Sequence, residues 1–158
     1  MAIRTIRVMG DAVLTKKCRP VEEMTPKLQQ HVDDMFETMY DGCGVGLAAP
    51  QVGILKRIVV IDVDENPYVL INPVILETSG SQTGNEGCLS LPGKTGVVTR
   101  PNYVKVEAYD RNMKKFVLEG TDLLARCICH ECEHLDGIMY VEHVEGELQD
   151  VEYDEDEE

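Results

Sequence analysis

The stretch Cys129-His130-Glu131-Cys132-Glu133-His134 constrains this chain more than any other. It reads H-E-x-x-H, with cysteines inside and beside the pattern. Residues four apart on an α-helix lie one turn apart on the same face. A helix here therefore presents the imidazoles of His130 and His134 to a single metal ion. Glu131 is turned by about 100° from the first histidine, so it reaches a water on that ion without binding the ion itself. A divalent ion acidifies such a water, and a neighbouring carboxylate takes its proton and hands it on. The same five residues also suit an ordinary amphipathic helix, so the rest of the chain must supply a third ligand and a site.

The scaffold follows from pattern. At 158 residues the chain holds one domain with a real core. Thr25 and Pro26 read as the N-cap and first residue of a helix, and Leu28, Val32, Met35, Phe36 and Met39 recur at helical spacing until Gly42. That stripe is core packing. Strands are expected at 57–63, at 68–76 with a break or edge at Pro73, at 97–109 and at 115–118, the last two joined by a turn at 110–113. Residues 78–85 read as a polar loop. The metal helix begins at Thr121 or Asp122 and ends by Gly137. Leu123, Cys127, His130 and His134 share one side of it, while Cys129 and Cys132 point away as small buried or partly exposed thiols. A helix, a block of strands and a second helix, without βαβ alternation, predict an α+β fold. The expected architecture is a single domain, with antiparallel β-strands packed around a central metal-binding helix and an N-terminal helix added.

Charge sets the expected boundary. The net charge is −14, but ten of the 29 acidic residues lie after residue 141, where no Lys or Arg occurs. The remainder carries 19 acids against 15 bases and is only mildly acidic. Residues 1–145 are thus expected to form the domain and 146–158 an acidic, disordered tail. No basic footprint for nucleic acid is present. No apolar run approaches a membrane span, and the first residues lack a signal peptide's apolar core. With six cysteines and no export signal, reduced thiols in a cytosol-like compartment are expected.

A third ligand is sought next. One group of H-E-x-x-H peptidases uses a histidine six residues after the second; here that residue is Tyr140. Another uses a glutamate on a later helix, and no helical pattern follows. Upstream, Cys88 stands between Gly87 and Leu89 with Glu86 nearby, and the glycine lets the backbone aim the sulfur. The segment from Gly44 to Gly53 is too rich in glycine and small residues for a regular element. Its glycines allow close approach of another chain, and Gln51 is its one side chain that both donates and accepts. Taken by itself, that segment is an ordinary loop with a solvent-facing glutamine.

Taken together, three segments resemble the motifs of peptide deformylases. Gly44-Val45-Gly46-Leu47-Ala48-Ala49-Pro50-Gln51 is similar to G-x-G-L-A-A-x-Q, Glu86-Gly87-Cys88-Leu89-Ser90 to E-G-C-L-S, and His130 to His134 to H-E-x-x-H, in the family's order and spacing. The arm from Ile6 to Val21 resembles the family's N-terminal arm. The likeness spans the chain apart from its acidic end. It implies a metal-dependent hydrolase that removes the N-formyl group from the starting methionine of new peptides. It also implies Cys88, His130 and His134 as metal ligands, with water in the fourth position. Ferrous iron is the ion the family implies, with zinc, nickel or cobalt as alternatives; the ligand types alone point to zinc. Glu131 becomes the general base, and the Gln51 amide and Leu89 backbone N–H become the donors to the oxyanion. Gly44, Val45 and Gly46 would lie along the substrate backbone. Cys127 would line a methionine pocket, with core packing an equally good reading. N-formylmethionyl nascent peptides and the ribosome are the implied partners, in the cytoplasm.

An ion pair between Glu86 and Arg100 is expected to steady the cysteine loop. Glu133 stands where relatives often have Asp, Ala12 where they have Pro, and Thr95 where some carry Arg near the substrate; the last bears on peptide preference. Two other readings compete: another H-E-x-x-H metallopeptidase, and an inactive relative that binds metal or peptide ends. The presence of both Glu131 and Gln51 favours an active enzyme.

Overall fold

The computed structural model describes residues 2–151. Strand β2 (Ile58–Val63) shows how the core is built. Side chains alternate between the faces of a strand. Val59, Ile61 and Val63 join one buried cluster, and Ile58 and Val60 join another. A strand apolar on both faces must be covered on both, and here a helix packs on each side. Helix α1 (Pro26–Asp41) sets Val32, Met35 and Met39 against one face. Helix α2 (Asp122–His134) sets Ala125 and Ile128 against the other.

The covered sheet has five strands in the order β1-β2-β3-β6-β7. Its members besides β2 are β1 (Gly46–Ala48), β3 (Asn66–Ser79), β6 (Tyr103–Tyr109) and β7 (Lys115–Thr121). Every neighbouring pair is antiparallel. A second sheet, in the order β4-β5-β8, contains β4 (Gln82–Cys88), β5 (Leu91–Arg100) and β8 (Glu145–Asp150). The metal-motif helix thus packs against the larger sheet with the smaller sheet beside it, as the α+β reading anticipates.

Helix α1 starts and stops where its sequence says: the Thr25 hydroxyl accepts from the Leu28 N–H at 3.2 Å, Pro26 opens the first turn, and Gly42 is the C-cap. Helix α2 differs at its start. Thr121 occupies the N-cap position but makes no side-chain cap, and Asp122 takes a φ of 54° to turn the chain sharply out of β7. An aspartate tolerates that left-handed conformation better than most residues.

Four expectations are corrected. Pro73 does not break its strand, which runs on past it as an edge paired with β6 alone beyond Ile71. Asn72 adopts a φ of 52°, and a register shift between Ile71 and Val74 absorbs the proline as a bulge within β3. The Asn72 side chain there bonds both the N–H and the C=O of Val21, at 2.8 Å each, tying the N-terminal arm to the sheet. The polar loop at 78–85 shrinks to a turn, because β3 runs to Ser79 and β4 begins at Gln82. The strand expected from residue 97 begins at Leu91, and Pro101 and Asn102 separate it from β6.

The fourth correction concerns the tail. Residues 145–150 form β8, which pairs with β5 through Lys94↔Asp150, Thr95↔Gln149 and Val97↔Glu145. Gly96 makes this possible: a Cβ there would come within 2.6 Å of Val144 and 3.3 Å of Leu148. An ion pair between Lys94 and Asp150 closes the end of the strand. The rest of the acidic segment, 152–158, lies outside the described residues.

Candidate active site and metal centre

Three motifs far apart in sequence converge on one cleft of about 410 Å³. Its lining includes Gly44, Val45 and Gly46 leading into β1, Cys88 and Leu89 at the end of β4, and His130 and Glu131 of α2. The N-terminal arm holds two of these segments in place. The Arg7 N–H donates to the Gln51 carbonyl and the Met9 N–H to the Ser90 carbonyl, each at 2.7 Å.

Cys88, His130 and His134 bring one sulfur and two imidazole nitrogens within 4.8 Å of one another. Cys88 Sγ lies 3.3 Å from His134 Nε2. Ligands at the usual zinc–sulfur and zinc–nitrogen distances sit about 3.5 Å apart in a tetrahedron, so this donor set fits one small divalent cation. The electrostatics agree. Burial, with the neighbouring His130, pushes His134 down to about 3, leaving it a neutral donor. Burial opposes charge on His130 too, but Glu131, Cys88 and Glu86 outweigh it and raise its pKa.

Glu86 orients His130. It is 5% exposed, and its Oε2 accepts from His130 Nδ1 at 2.8 Å. That bond leaves His130 Nε2 free to act as a ligand, as metal-bound histidines require. The expected pair with Arg100 is present and bidentate, at 3.2 Å from Nε to Oε1 and 2.7 Å from Nη2 to Oε2. Sequence reasoning missed Arg126, whose Nη1 donates to Glu86 Oε1 at 3.0 Å. The available signal was its position one helical turn before His130, on a helix too apolar to carry an unpaired cation. Glu133 also has work here: it accepts from Arg100 Nη1 at 2.5 Å and contacts His143 at 2.7 Å. Burial is the main force against the Glu86 anion, yet His130 and Arg100 hold its pKa down to about 2.

Glu131 is 5% exposed, and its Oε2 lies 3.9 Å from His130 Nε2. Burial raises its pKa to about 7, a suitable value for moving protons near neutrality. Gly46 is what lets β1 pass this carboxylate. A Cβ there would meet Glu131 Oε2 and Cys127 Sγ at 2.7 Å each. Gly44 similarly makes room for the Leu89 side chain, which would lie 2.7 Å from an added Cβ.

Gln51 is buried rather than solvent-facing as its segment suggests in isolation. Its Oε1 accepts from the Ala48 N–H at 2.9 Å, which turns the amide nitrogen toward the site. That nitrogen donates to Ser90 Oγ at 3.0 Å and lies 3.5 Å from Cys88 Sγ. Ser90, fully buried, was not singled out from sequence. Cys127 is buried and faces both the core and a cavity. It belongs to the core cluster beneath the sheet and also lines a smaller pocket, about 140 Å³, with Val45, Leu123, Arg126 and Glu131. Tyr140 is no ligand; its ring stacks on His130 with centroids 5.8 Å apart. All six cysteines are free, with Cys129 buried and Cys132 half-buried on the side of α2 away from the cleft.

Comparisons with known proteins bear on this geometry. The model of the family described as polypeptide deformylase matches residues 3–149. A peptide deformylase of Agathobacter rectalis is 65% identical over the whole of both chains. One from Lachnoclostridium phytofermentans is 64% identical, covering all of this chain and 99% of its own. Among solved structures, a peptide deformylase from Synechococcus elongatus in complex with actinonin superposes with a TM-score of 0.87 at 44% identity, covering 89% of this chain and 78% of its own. Motifs, fold and full-length similarity agree: this chain belongs to the polypeptide deformylase family.

Proposed function

We propose that this chain carries out its family's reaction through a metal centre held by Cys88, His130 and His134, with ferrous iron as the resident ion and zinc, nickel or cobalt as substitutes. Deformylases hydrolyse the N-formyl amide of a peptide's starting methionine, and this chain is a metal-dependent hydrolase of that kind. The observation that carries the residue assignment is the meeting of three ligand atoms, within 4.8 Å of one another, beside the buried Glu131 and the inward-turned Gln51 amide. The ion, when bound, acidifies water and polarises the formyl oxygen.

The remaining work falls to the protein. Glu131 takes the proton from the attacking water at a carboxylate oxygen and later gives it to the departing amine. Oxygen adds to the formyl carbon, the C–N bond breaks, and formate and a free N-terminus leave. Gln51 Nε2 and the Leu89 N–H donate to the oxygen that gains charge, each worth on the order of 3 kcal/mol in such sites. Gly44, Val45 and Gly46 lead into β1, an edge of the larger sheet, and β4 is an edge of the smaller one. An extended peptide laid in the cleft gains strand-like hydrogen bonds from such an edge. The pocket beside Cys127, Leu123 and Val45 takes the methionine side chain.

The substrate is the N-formylmethionyl nascent peptide, met at or near the ribosome. Six free thiols suit a reducing compartment, and the cytoplasm is the proposed location. Among the described residues no helix is long and apolar enough to cross a membrane. The presence of Glu131 and Gln51 at the ligand cluster supports an active enzyme over a binding-only relative.

The test is anaerobic purification, metal analysis, and formate release from a formyl-Met tripeptide by wild type and Glu131→Ala. Near one metal per chain in both, with formate release at least about 100-fold slower in the variant, is the expected result. Bound metal without formate release by the wild type would overturn the reading.

A further inference from the structure

We propose that Arg126 is a positioning residue for the metal centre, acting through Glu86 on His130. The inference rests on the ligand assignment above and goes beyond it. The Glu86 carboxylate is saturated: Oε1 accepts from Arg100 Nε at 3.2 Å and Arg126 Nη1 at 3.0 Å, while Oε2 accepts from Arg100 Nη2 at 2.7 Å and His130 Nδ1 at 2.8 Å. Glu86, Arg100, Arg126 and His130 are all at most 8% exposed. Water therefore cannot replace a missing partner cheaply.

Arg100 alone does not define the position of Glu86, because it is shared. Its Nη1 is drawn to Glu133 at 2.5 Å, and Glu133 in turn contacts the exposed His143 at 2.7 Å. One guanidinium thus spans two carboxylates, one facing the metal ligands and one facing the surface. Arg126 supplies the second positive charge that leaves Glu86 fully compensated. It also stands one turn before His130 on α2, so donor and ligand move as parts of one rigid helix. The carboxylate on β4 is clamped to the helix at two points, Arg126 and His130, and a clamp at two points fixes its rotation. That rotation aims Oε2 at Nδ1 and hence aims Nε2 at the metal position. Outer partners of this kind typically set metal affinity by about 10–100-fold.

The test uses the full-length chain loaded with Co²⁺ as wild type, Arg126→Leu, Arg126→Lys and Arg111→Leu, the last removing an ion pair with Asp33 far from the centre. Release of Co²⁺ to a chelator, the visible spectrum of the bound ion and thermal stability are recorded. Arg126→Leu is expected to release the ion about 10–100-fold faster and to alter its spectrum. Arg126→Lys, which restores the charge without the fork, should fall between, and Arg111→Leu should match wild type in release rate and spectrum, whatever stability it loses with its bonds to Gln29 and Asp33. If Arg126→Leu fails to fold, Arg126→Lys decides by its release rate and spectrum. Lower stability with unchanged release and spectrum in the Arg126 variants would make the residue merely structural and overturn the proposal. A separate arm, His134→Ala, guards the ligand assignment: if it binds Co²⁺ as well as wild type does, that assignment fails and the proposal with it. Loss of binding there with unchanged release in the Arg126 variants sinks the Arg126 role alone.

Discussion

Glu131 and Gln51 show how a single side chain acquires its function from its surroundings. Burial raises the Glu131 pKa to about 7, so the carboxylate form is present above that value and lost below it. Because proton removal requires the carboxylate, kcat/KM should fall as pH drops through about 7, with the midpoint moving lower as a bound cation favours the anion. A pH–rate profile measures this, and activity that rises toward acid would contradict it. Gln51 offers its amide nitrogen to the site only because the Ala48 N–H occupies its oxygen at 2.9 Å. Gln51→Leu should lower kcat by about 100–1,000-fold with a small change in KM, read by steady-state kinetics on a formyl-Met tripeptide. Both residues were legible in the sequence through their motifs. Arg126 was not, because its role lies in which buried partner it meets, and no local pattern states that; Ser90 stood in a motif, but its bond to Gln51 did not.

Two strands decide matters at the scale of the element. Strand β1 is three residues long, yet it passes helix α2 so closely that Gly46 has no room for a methyl group. Gly46→Ala should displace Glu131 or the strand and cut formate release by at least about 10-fold, since reacting groups misplaced by an ångström lose that much or more. Kinetics of the variant, with circular dichroism to confirm folding, tests this. Strand β8 is the opposite case: all six residues are exposed, and it is held by pairing with β5 and by Val144 and Leu148 over Gly96. A chain ending at residue 144 uncovers the edge of β5 and should melt roughly 5 °C lower, equivalent to about 1–2 kcal/mol in a domain of this size. An unchanged melting temperature would show that β8 adds no stability. The sequence concealed β8 because acidic residues outnumber apolar ones there, and composition cannot register backbone hydrogen bonds to a strand some fifty residues away. Helix α1, by contrast, was legible from its Thr25-Pro26 start to its Gly42 stop, since caps and periodicity are local.

Across the whole molecule, a buried charge cluster joins the smaller sheet to the central helix. Glu86 on β4, Arg100 on β5, and Arg126 and His130 on α2 meet at one carboxylate. Its pKa is lowered from 4.5 to about 2 against the cost of burial. A carboxylate lowered in this way contributes stability above its unfolded value, and that stability is lost as pH falls from about 4.5 toward 2. The melting temperature should therefore drop steeply over this range in wild type and less steeply in Glu86→Gln; parallel slopes would contradict the assignment. The sequence by itself determined the α+β class, the first helix, the H-E-x-x-H helix and the three motifs, because capping, periodicity and ligand spacing are written in residues close together. It also named Cys88 through its likeness to a family. Only the tertiary structure decided that Gln51 faces inward, that Pro73 sits in a bulge, that the acidic segment supplies β8, and that Arg126 braces Glu86. Each of these depends on which distant backbone or charge a residue meets once the sheets close around α2, and that pairing is a property of the packed chain.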